Sequence, residues 1–405
     1  MKTLGIYGVD QDARTTSSLG IYRYTGNLIA ALAALPDPGF GVVLWVAEAN
    51  VRDFVPRACP SWMRVRCLPG SYGKGTRRIW ADHVLARELP RHDRVDAVHY
   101  PKGWLPLVPP RGIPIIASLH DTITQYYCRQ HPEAGATWKW RYFDWMMRRS
   151  LRRADFILTL SHDSAAGLAA IVPGVARKVT VVHPAQMVAA ATPARVRQEQ
   201  ILVIGSRAPH KATAETLALL DAYAKHKGRR LSVVITGLRD LAHLDVRCEE
   251  WTSKESRNAG NGRAWKPAPT SDSCAPSHNW PFAAHLDVRC EGRVSDARMG
   301  ELFGTSRALV FLSEIEGFGL PLVEAYGAGM PVCYRAVSAM AEVMDGAPGG
   351  WDGAGADSFF RAMDEVLGMG AGDIEAIRLS LMRRYDFGES VQKIVGVYRR
   401  ALGVG

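Results

Sequence analysis

The sequence predicts an α/β protein of two doubly wound domains. Three observations carry that expectation. Short apolar, strand-like runs alternate with helical patterns, the arrangement that builds a parallel sheet with helices on both faces. The alternation restarts after about residue 190. And 405 residues, 47% of them hydrophobic, exceed what one core usually serves.

Taken in order, "TLGIYGV" reads as the first strand and "GNLIAALAAL" as a helix with one apolar stripe. "GVVLWVA", "DAVHY", "IPIIASLHD" and "DFILTLS" read as further strands. In the second half "QILVIGS" is a strand, "ATAETLALLDAYAKH" a helix, and "LSVVITG" and "ALVFLS" strands. The junction falls within "VVHPAQMVAAATPARVRQEQ". The expected domains are 1–186 and 187–385, with a closing helix at 386–405. The pattern of that helix, "SVQKIVGVYRRALG", leaves its packing partner open.

One stretch breaks the pattern. "AHLDVRCE" occurs twice, at 242–249 and 284–291, around a segment rich in Ser, Pro, Gly and Asn. Without 250–291 the chain reads as an unbroken α/β unit, so this region is an insertion, read as a surface loop before a substrate lid. Its Leu-Asp-Val-Arg-Cys alternation suits a strand. Two identical copies compete for one strand position, so one copy should pair and the other lie in a loop.

The bulk properties exclude several classes. No run of about 18 apolar residues is present, so no membrane-spanning helix is expected. The first residues lack the apolar core and small-residue cleavage site of a signal peptide, and a cytoplasmic location is expected. The seven cysteines are scattered without a CxxC, which suggests neither a disulfide framework nor a zinc site. A formal charge of +10 fits anionic partners. No nucleic-acid motif accompanies it, and no nucleic-acid partner is expected. In "WKWRYFDWMMRRSLRRAD", Arg141, Arg148 and Arg152 fall near one helical face among Tyr142, Trp145 and Met146. Such a face is solvated, or it docks peripherally on the anionic inner face of a membrane.

The chemistry concentrates in "SEIEGFGLPLVEAYGAGMPV", residues 313–332. A strand ends before it and an apolar helix starts inside it, with Pro321 suited to the first turn. Gly317 and Gly319 allow close approach of the backbone to a ligand. The free amides at such a helix start attract a phosphate. Glu316 and Glu324, with seven residues between them, fit hydroxyl groups on either side of it. Ligands of open α/β sheets sit at the carboxyl ends of the strands, where this motif stands.

"EGFGLPLVEAYGAGMPV" resembles, almost residue for residue, the signature of retaining glycosyltransferases of GT-B architecture, in particular the family-four group, also called glycosyl transferases group 1. The resemblance extends over nearly the whole chain apart from the insertion. It implies two Rossmann-like domains facing across a cleft, with the acceptor side in the first and the donor nucleotide in the second. By the resemblance, Glu324 holds the ribose hydroxyls and Glu316 lies by the donor sugar. Gly317, Phe318, Gly319 and Leu320 line the donor through their backbone. "LVIGSRAPHKATAETLALL" resembles the family's phosphate loop. Lys211 there meets the donor diphosphate, and Arg207 is the second phosphate ligand, although it stands four residues before Lys211 rather than six. His210 replaces an arginine often found in the family. Arg and Lys in these places stabilise the charge growing on the leaving group.

In the first domain "ARTTSSLGIYRYTGNLIAALA" resembles the glycine loop after the first strand. Gly20 would pass close to the donor there, with a single glycine where many members have two. "IIASLHDTI" resembles the family's strand-end His-Asp, which aims His120 at the donor sugar. "DFILTLSHDSAAGLAAI" matches a strand and helix start in which Ser161 and Ser164 serve as cap and turn. Val294, within "GRVSD" (292–296), stands where members place backbone against the nucleotide base. Asp10, Gln11 and Asp12 have the form of the metal-binding Asp-x-Asp of another glycosyltransferase fold. They follow the first strand instead of lying in the nucleotide domain, so no metal is expected.

The resulting expectation is a hexosyltransferase without cofactor. Its catalytic residues are Glu316, His120, Lys211 and Arg207. Its donor is GDP-mannose, with UDP-glucose second, and its acceptor a lipid-linked or other cell-envelope glycan. The competing expectation is a sugar-nucleotide-binding subunit with little turnover because of the insertion.

Overall fold

The computed structural model describes residues 1–15, 19–130, 138–184, 197–242, 244 and 284–405, with the side chain of Phe387 left aside. The chain forms two compact units. One is Met1–Met187 with Tyr385–Gly405, and the other is Val188–Arg384.

Unit 1 is built on a seven-stranded parallel sheet. Its strands are β1 (Thr3–Tyr7), β2 (Gly41–Ala47), β3 (Met63–Leu68), β4 (Ala97–Tyr100), β5 (Ile115–Ser118), β6 (Phe156–Thr159) and β7 (Val179–Val181). The order is β3-β2-β1-β4-β5-β6-β7, all pairs parallel. Its helices are α1 (Leu19–Ala33), α2 (Val51–Phe54), α3 (Gly75–Trp80), α4 (Ala86–His92), α5 (Ile123–Gln130), α6 (Trp138–Arg153) and α7 (His162–Ile171). A π turn, Ala81–Leu85, joins α3 to α4. Every residue of β2 is buried, which is why that strand reads as a continuous apolar run and not as an alternation.

Unit 2 has a six-stranded parallel sheet of β8 (Gln198–Ile204), β9 (Leu231–Thr236), β10 (Leu286–Gly292), β11 (Ser306–Phe311), β12 (Val332–Arg335) and β13 (Gly350–Trp351). The order is β10-β9-β8-β11-β12-β13. Its helices are α8 (Thr213–His226), α9 (Asp296–Thr305), α10 (Leu320–Gly327), α11 (Ser338–Met344), α12 (Ala356–Gly368) and α13 (Ala371–Arg384). Its core joins Leu217, Leu220 and Tyr223 of α8 to Val233, Ile235, Val310 and the ring of Trp351.

The second "AHLDVRCE" supplies β10, with Leu286 opposite Leu231 and Val288 opposite Val233. The first copy lies almost wholly outside the described residues, as does most of the insertion. The closing helix α14 (Phe387–Leu402) packs on unit 1. Val391, Ile394, Val395, Tyr398, Ala401 and Leu402 are its buried stripe, at the spacing of one helix face. Among the described residues no helix is long and apolar enough to cross a membrane.

Both sheets reverse strand order once, between β1 and β4 and between β8 and β11. Loops leaving the carboxyl ends of such strands diverge and leave a crevice, the place where doubly wound sheets bind ligands.

Candidate functional site

In unit 2 the loops after β8 and β11 meet at this reversal. The Glu314 amide donates to the His210 carbonyl at 2.7 Å, which ties the two loops together through their backbone. Beside that tie, Lys211 Nζ donates to Glu316 Oε1 at 2.5 Å. Lys211 also lies 5.2 Å over the ring of Phe311. Both side chains are partly exposed, 23% for Lys211 and 13% for Glu316, so the pair can be reached from solvent.

The start of α10 follows directly. Gly319 is its N-cap with φ +90°, a region that disfavours any residue with a Cβ. A Cβ there would also press on Leu322 and Met340, at 3.2 and 3.3 Å. Pro321 stands in the first turn, as the sequence predicts. Leu320 opens the helix and Phe318 is buried in the core at 3% exposure. Glu324 is one turn further on and buried. The Ser338 hydroxyl donates to the Glu316 carbonyl at 3.4 Å, bringing the start of α11 against the same turn.

Arg335, at the exit of β12, braces this edge. It pairs with Glu215 of α8 at 2.5 Å, lies 3.7 Å from Glu314 and sits 4.7 Å over the Trp351 ring. The exits of β8 and β9 are closely packed. Gly237 has φ +93°, and a Cβ there would lie 2.1 Å from the Gly205 carbonyl oxygen. Arg207 is turned along this edge to Asp240 at 3.2 Å, with both side chains more than half exposed. Val294 follows β10 and is half-buried. The sequence-predicted residues of unit 2 thus share one edge of its sheet. Lys211 and Glu316 touch, while Arg207 is paired elsewhere.

Unit 1 carries its own polar cluster at the β1–β4 reversal, and sequence reasoning missed most of it. Lys102 Nζ donates to Asp82 at 2.7 Å and to Asp10 at 3.2 Å. Arg78 reaches Asp82 at 2.9 Å and Asp10 at 3.1 Å. Lys102 also lies 4.8 Å over the Tyr7 ring. Burial alone would raise the Asp82 carboxyl, but Lys102 and Arg78 overcome it and hold it at about 2. At Asp10 burial wins over the same cations and pushes the carboxyl up. Asp12 is engaged separately, accepting from the Ser71 hydroxyl at 2.7 Å. The two carboxylates of the Asp-x-Asp form therefore serve different partners. Of its charged members only Arg78 and Asp82 are close in sequence; no local pattern announces the cluster, because its members come from three separate stretches of the chain.

His120 follows β5 and is buried. Burial lowers it to about 4, against a weaker pull from the Pro101 carbonyl. The Tyr24 ring meets its ring edge-on, with centroids 4.5 Å apart. Behind Tyr24 runs a buried chain of hydroxyls and imidazole. Tyr24 Oη lies 3.2 Å from Ser118 Oγ, which lies 2.8 Å from His99 Nε2. His99 Nδ1 is 2.8 Å from the Tyr398 hydroxyl of α14. Burial, aided by the nearby His120, lowers His99 to about 3, so it stays neutral. A neutral imidazole donates through one nitrogen and accepts at the other, which suits a chain of this kind.

Ser161 caps α7, accepting from the Ser164 amide at 3.1 Å, as the sequence predicts. The Ser164 hydroxyl in turn donates to the His120 carbonyl at 3.3 Å. One expectation is corrected. Gly20 is not in a loop but in the first turn of α1, exposed. A Cβ on it would meet nothing within 4 Å, so packing in unit 1 does not demand glycine there.

Comparison with known proteins agrees with the fold of both units. Residues 20–185 match the model of the glycosyl transferase 4-like domain. Residues 284–366 match the model of glycosyl transferases group 1. A serotype-specific mannosyltransferase WbdA of Escherichia coli is 36% identical over 76 residues, 19% of this chain and 9% of that protein. The chain thus spans less than a tenth of the curated relatives it matches. Among solved structures, the sucrose-phosphate synthase of Thermosynechococcus elongatus superposes with a TM-score of 0.63 at 15% identity, covering 100% of both chains. HepE of Anabaena, solved with UDP and glucose, gives 0.60 at 11% identity over 99% of this chain and 100% of that one. On the two domain models and the two doubly wound sheets, the chain belongs to the group 1 glycosyltransferases of GT-B architecture.

Proposed function

We propose that this chain is a retaining glycosyltransferase. It moves a hexose, mannose in the first place, from a nucleoside diphosphate sugar to a cell-envelope or polysaccharide glycan held on a lipid carrier. The observation that carries the reading is the Lys211–Glu316 pair beside the start of α10, at the strand-order reversal of unit 2. A cation, a carboxylate and a helix start converge there, the groups that a phosphorylated sugar needs.

In this reading Lys211 leaves Glu316 for the donor diphosphate and stabilises the negative charge that develops as the sugar departs. Arg207 exchanges Asp240 for the same phosphates. Glu324 receives the ribose hydroxyls, and Glu316, relieved of Lys211, faces the sugar. Gly317, Phe318, Gly319 and Leu320 offer backbone to the donor, Val294 flanks the base, and Gly20 of α1 keeps its place on the donor side. His120 contacts the sugar. The bond from the anomeric carbon to the diphosphate oxygen breaks, and a bond to the acceptor oxygen forms on the same face. The acceptor's hydroxyl proton leaves to the departing diphosphate. No covalent sugar–enzyme intermediate is part of this mechanism. No metal or cofactor is required.

Mannose is favoured by the partial likeness to WbdA and GDP-mannose by the Pro209-His210-Lys211 loop, while the likeness to HepE keeps UDP-glucose second. A thermal-shift screen with nucleotide sugars tests this directly, since a ligand that binds only the folded state raises its stability. GDP-mannose should raise the melting temperature most. A larger shift with UDP-glucose would reassign the donor, and no shift with any nucleotide sugar would remove the reading.

The second reading, a sugar-nucleotide-binding subunit with little turnover, is favoured by the insertion at 250–291, which ends at Glu291, three residues before Val294. Nucleoside diphosphate release, with and without residues 250–291, separates the two. Donor binding without release in either chain supports the second.

A further inference from the structure

The large apolar side chains that unit 1 exposes are concentrated in one region. Among the described residues, apart from Met1, they are Ile79, Trp80, Val84, Val108, Trp138 and Trp145, from 44% to 80% exposed. They come from three segments that touch. His83 Nε2 of the π turn lies 3.2 Å from the Tyr142 hydroxyl of α6. The Tyr142 ring lies 6.3 Å from that of Trp145. His83 Nδ1 accepts from the Leu107 amide at 3.2 Å, and the Leu107 carbonyl accepts from Arg149 of α6. On α6, Trp138, Tyr142, Trp145 and Arg149 recur at helical spacing, whereas Met146, Met147, Ser150 and Leu151 fill the buried face.

The charge of this region is one-sided. Helix α6 carries six cations against one acid, and that acid, Asp144, is paired with Arg148 at 2.8 Å. Asp82 and Glu88 on the neighbouring elements face Arg78 and Arg87. Lys74, Arg77, Lys139, Arg141, Arg152 and Arg153 are all exposed. Beside Val108 opens a crevice of roughly 530 Å³, lined by Arg111, Arg149 and Arg153. The one carboxylate in its wall, Asp155, accepts from the Ile115 amide at 2.9 Å.

We propose that this face of unit 1 docks on an anionic lipid bilayer, its tryptophans entering the headgroup layer and its arginine crevice taking a lipid phosphate. Amphipathic tryptophan rings set among cations, with the acids already paired, match a surface that is apolar just beneath an anionic layer. A folded protein partner would ordinarily offer mixed charge. The proposal stands apart from the sugar-transfer reading, because none of these residues belongs to the site of unit 2.

Flotation of the full chain with vesicles tests it. Phosphatidylcholine vesicles containing phosphatidylglycerol should carry the chain upward, and phosphatidylcholine alone should not. Trp80→Ser with Trp145→Ser should weaken vesicle binding on the order of tenfold. Arg111→Glu with Arg153→Glu should weaken it by about thirtyfold or more, at about 1 kcal/mol per cation. Lys225→Glu, exposed on α8 of unit 2, should bind as the parent does. All variants should keep the parent's melting temperature and donor turnover. A parent chain that stays at the bottom with both vesicle types overturns the proposal, as does binding that survives both double substitutions. A vesicle-independent dimer broken by the tryptophan pair assigns the face to a second copy and overturns it too.

Discussion

At the scale of single residues, the candidate site of unit 2 is a set of charges holding one another in reserve. Lys211 and Glu316 neutralise each other across 2.5 Å, and Arg207 rests on Asp240. A donor diphosphate offers both cations a doubly charged partner, so binding exchanges one ion pair for another. Under the proposed reading, Lys211→Ala should lower kcat about a hundredfold or more, the usual effect of losing one group that stabilises leaving-group charge. Glu324→Ala should instead raise the donor Kd by about tenfold or more, through lost hydrogen bonds to a charged acceptor. Glu316→Ala should chiefly slow turnover. Titration of donor binding and initial rates on each variant check this split, and full activity in both glutamate variants would remove the assignment. Glu316, Glu324 and Lys211 were legible because they sit in one motif or in its matching loop. Asp10, Arg78, Asp82 and Lys102 were not, because their meeting depends on strand order.

At the scale of elements, the exits of the strands matter more than their interiors. The start of α10 requires a left-handed residue at Gly319 and room beside Leu322 and Met340. Gly319→Ala should destabilise the fold by about 1–2 kcal/mol, and it should weaken donor binding by reorienting the amides of the following turn. Calorimetry and nucleotide titration on that variant read the two effects separately. The Ser161 cap is a cleaner case. Ser161→Ala should lower stability by about 1 kcal/mol, measurable by urea denaturation. Most strands were readable as apolar runs. Strands β3, β7, β12 and β13 were not named from the sequence: β3 alternates basic and apolar residues, while β7, β12 and β13 have only two to four residues. Short or half-polar strands owe their pairing to neighbours, not to their own period.

At the scale of the whole molecule, two outcomes are expected. The first concerns acid. His99 and His120 are held at about 3 and about 4, below their ordinary value of 6.5. Between those values the unfolded chain takes up protons that the folded chain refuses. Stability is therefore complete above pH 6.5 and falls as pH drops below it, by at most about 1.4 kcal/mol per pH unit for each ring. Melting temperatures measured from pH 7 to 4.5 should show this decline, and His99→Asn should make it shallower. A flat profile would contradict the burial assigned to both rings. The second concerns the insertion. Removing 250–291 joins the first "LDVRCE" to Gly292 and regenerates the sequence of β10, LDVRCEG. The shortened chain should keep a cooperative melting transition near that of the parent, since the sixth strand is restored. Loss of the transition would mean that the segment itself is needed for folding.

Local period and local motif are properties of a segment, and the sequence by itself determined what depends on them. These are the alternation of strands and helices, the Gly319–Pro321 helix start, the Ser161 cap and the group 1 glycosyltransferase signature. Only the tertiary structure decided which distant groups meet. Lys211 reaches Glu316 across 105 positions and Tyr398 reaches His99 across 299, because the sheets reverse order and α14 packs on unit 1. It also decided between the two copies of "AHLDVRCE", which no sequence argument can distinguish. The second copy occupies β10, where Arg230 binds the Ala284 and Leu286 carbonyls and Asp221 takes the His285 amide. The residues of that segment do not choose the place by themselves; Arg230, Asp221 and the edge of β9 define it.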